Sequence, residues 1–157
     1  MGAQTRGRSV RFFTNTCTTC ANNVGVPLLS DFAYGEMIFQ TDNGKDFAYA
    51  EVIAEDAWSI IAGICENEFG LGRKKPSPKL QVFHCVAIRC ADPLDGRPYT
   101  THFPLCPRCG AKLTSYGDNQ IHHDGHVPRA TWQRFMSLSP EARKSLVRKL
   151  WNEEVDP

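Results

Sequence analysis

With 157 residues, 41% of them apolar and 22% charged, the chain has the composition of a globular protein large enough for one core and a small appendage. No run approaches the ~18 consecutive apolar residues of a membrane-spanning helix, and the basic opening MGAQTRGRSVRFFTNT lacks the apolar centre of a secretion signal. A cytoplasmic setting is therefore expected, where thiols stay reduced and seven cysteines read as metal ligands and free thiols, not as a disulfide framework.

The net charge of +1 hides an uneven distribution. Residues 31–70 carry nine acids against the single base Lys45, whereas residues 1–30 hold three arginines and no acid. The remainder carries fourteen bases and eight acids. Such an acidic block is either a solvated face balanced within the same fold or a surface that steers a basic partner.

In chain order, RSVRFF predicts a strand leading into a turn, TCTTCANN. YGEMIFQT and DFAYAEVI flank Asp42-Asn43-Gly44-Lys45, and Asn-Gly between aromatic-rich runs predicts a hairpin with a type I′ turn, positive φ at both central residues. AEDAWSIIAGICENEFG follows as an amphipathic helix with Trp58, Ile61, Ile64 and Cys65 at helical spacing and Gly70 as its stop. The stretch 71–79, containing GRKKPSPK, is a basic, proline-bearing linker. LQVFHCVAIRC then reads as a buried strand, turned by ADPLDG into RPYTTHFPL. TWQRFMSL predicts a short helix, and SPEARKSLVRKLWNEE a longer one, with Ser139 as N-cap and Pro140 at the first position. Leu146, Val147, Leu150 and Trp151 give that helix one apolar face.

Two C-x2-C pairs stand out: Cys17-Thr-Thr-Cys20 and Cys106-Pro-Arg-Cys109. This spacing lets both thiolates of a pair reach one ion, while amides of the tight turn donate to the sulfurs. Gly110 after the second pair suits a position needing positive φ. The four cysteines together predict a tetrahedral Zn²⁺ site with Zn–S near ~2.3 Å. A redox dithiol would open a helix after a strand, and neither ANNVGVP nor GAKLTSYGD looks like a helix start.

The pairs, with CPRCG the more typical, resemble the zinc-ribbon class, in which two hairpins each contribute a CxxC knuckle. The resemblance covers Thr16–Asn22 and Leu105–Leu113. It departs from a simple ribbon in distance: 85 residues separate Cys20 from Cys106. One shared site then requires an insert between the knuckles, the alternative being two separate sites. Closing such a loop costs roughly 4–5 kcal/mol of chain entropy, against an apparent ~10–16 kcal/mol for structural zinc, so a shared site is affordable in free energy.

Downstream, IHHDGHVP places His122, His123 and His126 within five positions, and Gly125 and Pro128 argue against a helix. CxxCG, a dozen residues, then a His doublet resembles the first half of an HNH (ββα-metal) nuclease. That resemblance implies His122 or His123 as general base, with Asp124 and His126 as metal ligands. The second CxxC and the downstream His of that family are missing. Polar residues at a hairpin tip are the competing reading. His84, Cys85, Cys90 and His102 read as strand and core residues, and Cys65 as core.

The expected fold is α+β: an antiparallel sheet, one inserted amphipathic helix, two C-terminal helices and a split zinc ribbon joining the two halves. One domain over 1–157 is expected, with the ribbon in 10–25 and 97–127, a hairpin–helix insert in 31–70 and the helices in 128–154. The function expected is a zinc-stabilised, non-enzymatic protein-binding module of inhibitor or immunity type. It would meet a basic protein through Asp42, Asp46, Glu51, Glu55 and Asp56. A metal-dependent nuclease centred on the histidines is the alternative from another class. Nucleic-acid binding through the ribbon and the basic C-terminal helices is a third, weakened by the near-neutral charge. No membrane partner is expected.

Overall fold

A computed structural model of the chain describes residues 7–29, 35–72, 78–100, 104–113 and 122–156, with His122 described in its backbone alone. Among these described residues, six strands form two three-stranded antiparallel sheets. The first has the order β2 (Asn23–Leu28), β1 (Arg8–Thr16), β6 (His122–Val127), and the second β4 (Phe47–Glu51), β3 (Glu36–Thr41), β5 (Tyr99–Thr100). Helices α1 (Asp56–Phe69), α2 (Pro78–Arg89), α3 (Gln133–Ser137) and α4 (Pro140–Val155) cover the second sheet.

The α+β class expected from the sequence is observed, with two sheets in place of one and further departures in its parts. Leu80–Cys90, read as a buried strand, lies in α2 and its end. Phe83, Val86, Ala87 and Cys90 are buried while Gln81 is exposed, a helical repeat that the β-branched and aromatic composition masked. The strand after it is only Tyr99–Thr100, and His102 lies outside the described residues. Of the linker expected over 71–79, residues 73–77 lie outside the described residues; Leu71 is buried and α2 begins at Pro78.

The main core sits between the second sheet and the helices. Phe39, Trp58 and Trp132 meet at its centre, with ring centroids 6.0–6.4 Å apart. The Trp132 indole N–H donates to the Ala87 carbonyl at 2.9 Å, so the buried ring leaves no orphan donor. Helix α1 ends as expected at Gly70, which takes a left-handed φ of 67°. Helix α4 starts as expected too, the Ser139 hydroxyl accepting from the Ala142 N–H. Arg148 grips Glu68 through two hydrogen bonds, and Phe69 stacks on Trp151 at 4.4 Å, locking α4 onto α1.

The two sheets meet at Tyr49. Its N–H donates to the Pro128 carbonyl at 2.8 Å and its carbonyl accepts from the Ala130 N–H at 2.7 Å, making a parallel bridge beyond the end of β6. Its hydroxyl lies 2.7 Å from Glu51 and 3.0 Å from Glu36, and Arg8 pairs with Glu36 while its guanidinium stands over the Tyr49 ring. Burial, reinforced by Glu51 and Glu36, pushes the Tyr49 hydroxyl up to about 12.

Two groups make the fold acid-sensitive. Burial beside Trp58 and Phe83 holds the His84 imidazole below its ordinary 6.5. The Arg8 guanidinium, with Tyr49, holds Glu36 below 4.5. In both cases the unfolded chain binds the proton more readily, so stability is complete above the unfolded value and drains as pH falls. The urea midpoint is expected to decline below pH 6.5 and more steeply below 4.5. His84→Leu should flatten the upper part of that decline. A midpoint unchanged on going from about pH 8 to about pH 5 would contradict the assignment.

Candidate metal centre

The first CxxC pair is the tip of the β1–β2 hairpin. The Cys17 N–H donates to the Asn22 carbonyl and the Ala21 N–H to the Cys17 carbonyl, both at 2.9 Å. The second pair repeats this pattern on a ribbon held by the Leu105–Lys112 bridge. There the Cys106 N–H donates to the Ala111 carbonyl and the Gly110 N–H to the Cys106 carbonyl, both at 2.8 Å. In each knuckle the residue after the second cysteine is left-handed, Ala21 at φ 60° and Gly110 at φ 75°.

The two knuckles face each other. All four sulfurs, of Cys17, Cys20, Cys106 and Cys109, lie within 4.8 Å of one another. The cross contacts Cys17 Sγ to Cys109 Sγ and Cys20 Sγ to Cys106 Sγ are each 3.6 Å. A tetrahedral ion with metal–sulfur bonds of ~2.3 Å requires sulfurs ~3.8 Å apart, so these positions fit a metal with little adjustment. The sites are therefore one, not two, and the cluster joins the N-terminal hairpin to the C-terminal half of the chain.

The electrostatics of the bare cluster point the same way. Backbone N–H groups of Cys20 and Thr19 lower the Cys17 thiol. Burial works against ionisation of Cys106, but the N–H groups of Cys109 and Arg108 outweigh it and bring the thiol down to about 6. At Cys109 the Ala111 N–H favours the thiolate, yet burial and the neighbouring Cys17, Cys20 and Cys106 push it up to about 12. Four thiolates cannot crowd together without a cation to balance them.

Compared with protein families, curated proteins and solved structures, the chain matches none.

What holds the second knuckle in place is Gln40, a residue for which the sequence carries no signal beyond a polar side chain late in a strand. Its fully buried amide donates to the Leu105 carbonyl at 3.0 Å and to the Gly44 carbonyl at 3.1 Å, and accepts from the Leu105 N–H at 2.7 Å. The β3–β4 connection is accordingly not the type I′ turn expected. Five residues, 42–46, join the strands, and Gly44 alone is left-handed, at φ 71°. Glycine is needed there twice over, because a Cβ would stand 3.1 Å from Pro107 Cα and 3.2 Å from the Leu105 carbonyl.

Ala21 in a left-handed conformation is strained by about 1–2 kcal/mol relative to its mirror position. Ala21→Gly is expected to raise the unfolding free energy by about 0.5–1 kcal/mol once the extra freedom of the unfolded chain is subtracted. Gly110→Ala, into open space, should cost about 1 kcal/mol through backbone strain alone. Denaturant titration of the metal-loaded variants checks both, and equal and opposite shifts of the wrong sign would show that the knuckles do not share this geometry.

The histidines fall elsewhere. His122–Val127 forms the edge strand β6, paired with β1, and not a hairpin tip. The His123 ring stacks on Phe12, centroids 5.2 Å apart, and Phe12 also lies against Gly125, where a Cβ would be 2.4 Å from the ring. His123, Asp124 and His126 are exposed and do not converge with other ligands into a cluster among the described residues. The side chain of His122 is not described.

The acidic residues occupy the β3–β4 connection and the passage into α1. Asp42 lies 3.8 Å from Arg97, and Glu51 lies 3.9 Å from Arg129 while accepting from Tyr49. Glu36 and Glu68 face Arg8 and Arg148. Much of the acidic block is thus answered by arginines from outside it, as a fold balancing its own charge requires. Asp46 and Asp56 are exposed, and burial raises the Glu55 carboxyl, with Arg129 opposing and Asp56 adding. Among the described residues no helix is long and apolar enough to cross a membrane.

Proposed function

We propose that the four-cysteine centre holds one structural Zn²⁺ and that the chain is a zinc-stabilised, non-enzymatic binding protein. The observation that carries this reading is the donor set: four cysteine sulfurs converge from two facing knuckles, and around one ion they would complete a tetrahedral shell with no position left for a substrate or water. When bound, the ion neutralises the converging thiolates and cross-links the two knuckles. The chain's own residues supply the rest. Backbone amides of both turns donate to the sulfurs, and Gln40 seats the second knuckle against the β3–β4 hairpin.

For the partner surface we propose the acidic edge formed by Asp42, Asp46, Glu51, Glu55 and Asp56, meeting a basic protein. Its turn is moulded on the second knuckle through Gly44 and Gln40, so the metal would hold the surface in shape.

Metal analysis of the purified protein should return one zinc per chain. Cys17→Ser and Cys106→Ser should each abolish it, since a shared shell cannot survive on one knuckle. Retention of a metal by each knuckle after loss of the other would end the single-site reading. For the surface, association with a lysine-rich peptide probe should slow on charge reversal at Asp46 and Asp56 and lose part of its salt dependence. Unaltered kinetics would remove the acidic edge from consideration.

A further inference from the structure

The four cysteines differ in exposure. Cys17 and Cys106 are sealed, at 2% and 1% exposure, whereas Cys20 is half-buried and Cys109 exposed. The two 3.6 Å sulfur contacts run between the knuckles, so each joins a buried cysteine to a more exposed one: Cys109 with Cys17, and Cys20 with Cys106. This is the arrangement of an attackable thiol beside a resolving thiol. Cys65 and Cys90 are buried in the helical core, away from this centre.

We propose that a peroxide oxidises this centre across the knuckles, expelling the metal while two disulfides, Cys17–Cys109 and Cys20–Cys106, keep the clamp closed. The proposal rests on the zinc reading above. In the first step the Cys109 thiolate attacks one oxygen of hydrogen peroxide. The O–O bond breaks, hydroxide leaves and the sulfur becomes a sulfenic acid. The Cys17 thiolate then attacks that sulfur, the S–S bond forms and a second hydroxide leaves. Two electrons pass from the thiolate pair to one peroxide, and two protons from solvent convert both hydroxides to water. Cys20 and Cys106 repeat the sequence with a second peroxide. Zn²⁺, deprived of its thiolates, leaves as the aqueous ion. The pairing matters because bonds within the knuckles, Cys17–Cys20 and Cys106–Cys109, would release the two halves, whereas bonds between them retain the tie.

The test uses the zinc-loaded wild-type protein, its metal measured first, treated with hydrogen peroxide beside a chromogenic chelator. One zinc per chain should appear for every two peroxides consumed. Trypsin cuts after Arg108 and so separates Cys106 from Cys109, while leaving Cys17 and Cys20 in one peptide. Non-reducing mass spectrometry should find that peptide joined to both of the others, and fragmentation between Cys17 and Cys20 should place Cys109 on Cys17 and Cys106 on Cys20. The reversed cross pairing would overturn the proposal. So would an internal disulfide in that peptide with Cys106 joined only to Cys109, retained zinc, or accumulation of sulfinic acid. If the starting protein holds no zinc, it is the zinc reading that fails, and peroxide treatment of the reduced protein still decides the pairing.

Discussion

Removal of the proposed zinc by a strong chelator is expected to lower the thermal midpoint by about 8–16 °C. An ion present at a thousand times its dissociation constant adds about 4 kcal/mol to the folded state, and a domain of this size loses about 2–4 °C per kcal/mol. The loss should fall unevenly. Among the described residues, the cluster beneath the centre has five buried members, Cys17, Val24, Val26, Cys106 and Leu113, and two of these are candidate ligands themselves. The helical core has twenty-three, knitted by the Phe39–Trp58–Trp132 contacts. After chelation, hydrogen exchange should therefore quicken in β1, β2 and residues 104–113 while α1, α2 and α4 keep their protection. A midpoint and exchange pattern unchanged after complete metal loss would mean that the centre contributes nothing to the fold.

Replacement of Gln40 comes next in size. Gln40→Leu keeps most of the volume but strands the Leu105 N–H and carbonyl and the Gly44 carbonyl, all facing a fully buried position. Each orphaned buried group costs about 1–3 kcal/mol, and a realistic total after local relaxation is about 3–5 kcal/mol. Because the same amide seats the second knuckle, affinity for the proposed zinc should fall as well, by about tenfold for each 1.4 kcal/mol of lost support. Urea titration of the loaded protein and competition with a chelator of known affinity measure the two effects. A stability loss with full affinity would show that the knuckle holds its shape without the hairpin.

The parts legible from the sequence share one property: their evidence is local. CTTC and CPRCG carry their ligands and turn within a few residues, and the Ser139-Pro140 start of α4 likewise declares itself. Where the deciding contact is distant, the pattern is silent. Gln40 acquires its role from Leu105, 65 positions away. The strand pairing of the His122–His126 segment likewise comes from β1, far away in the chain, and nothing nearby reveals it. The α2 error was of another kind. Val82, Phe83, Val86 and Ile88 favour strands by composition, and only the burial of Phe83, Val86, Ala87 and Cys90 shows which periodicity prevails. At Asn43-Gly44 the local rule found the hairpin but not its turn, since the second knuckle presses on Gly44 from outside the hairpin.

The separation of the two knuckles has a consequence in time. Translation proceeds from the CTTC end, and 85 residues must be added before Cys106 emerges. At 5–20 residues per second the first two sulfurs wait roughly 4–17 s for the other two. Over the same interval the flank of β1 that will receive β6 stays bare. A nascent chain passing through this stage carries a two-thiol ligand and an open strand edge, the kind of edge that pairs with other chains unless it is covered. The finished clamp is a checkpoint on completion: only a chain synthesised beyond the second knuckle can close it.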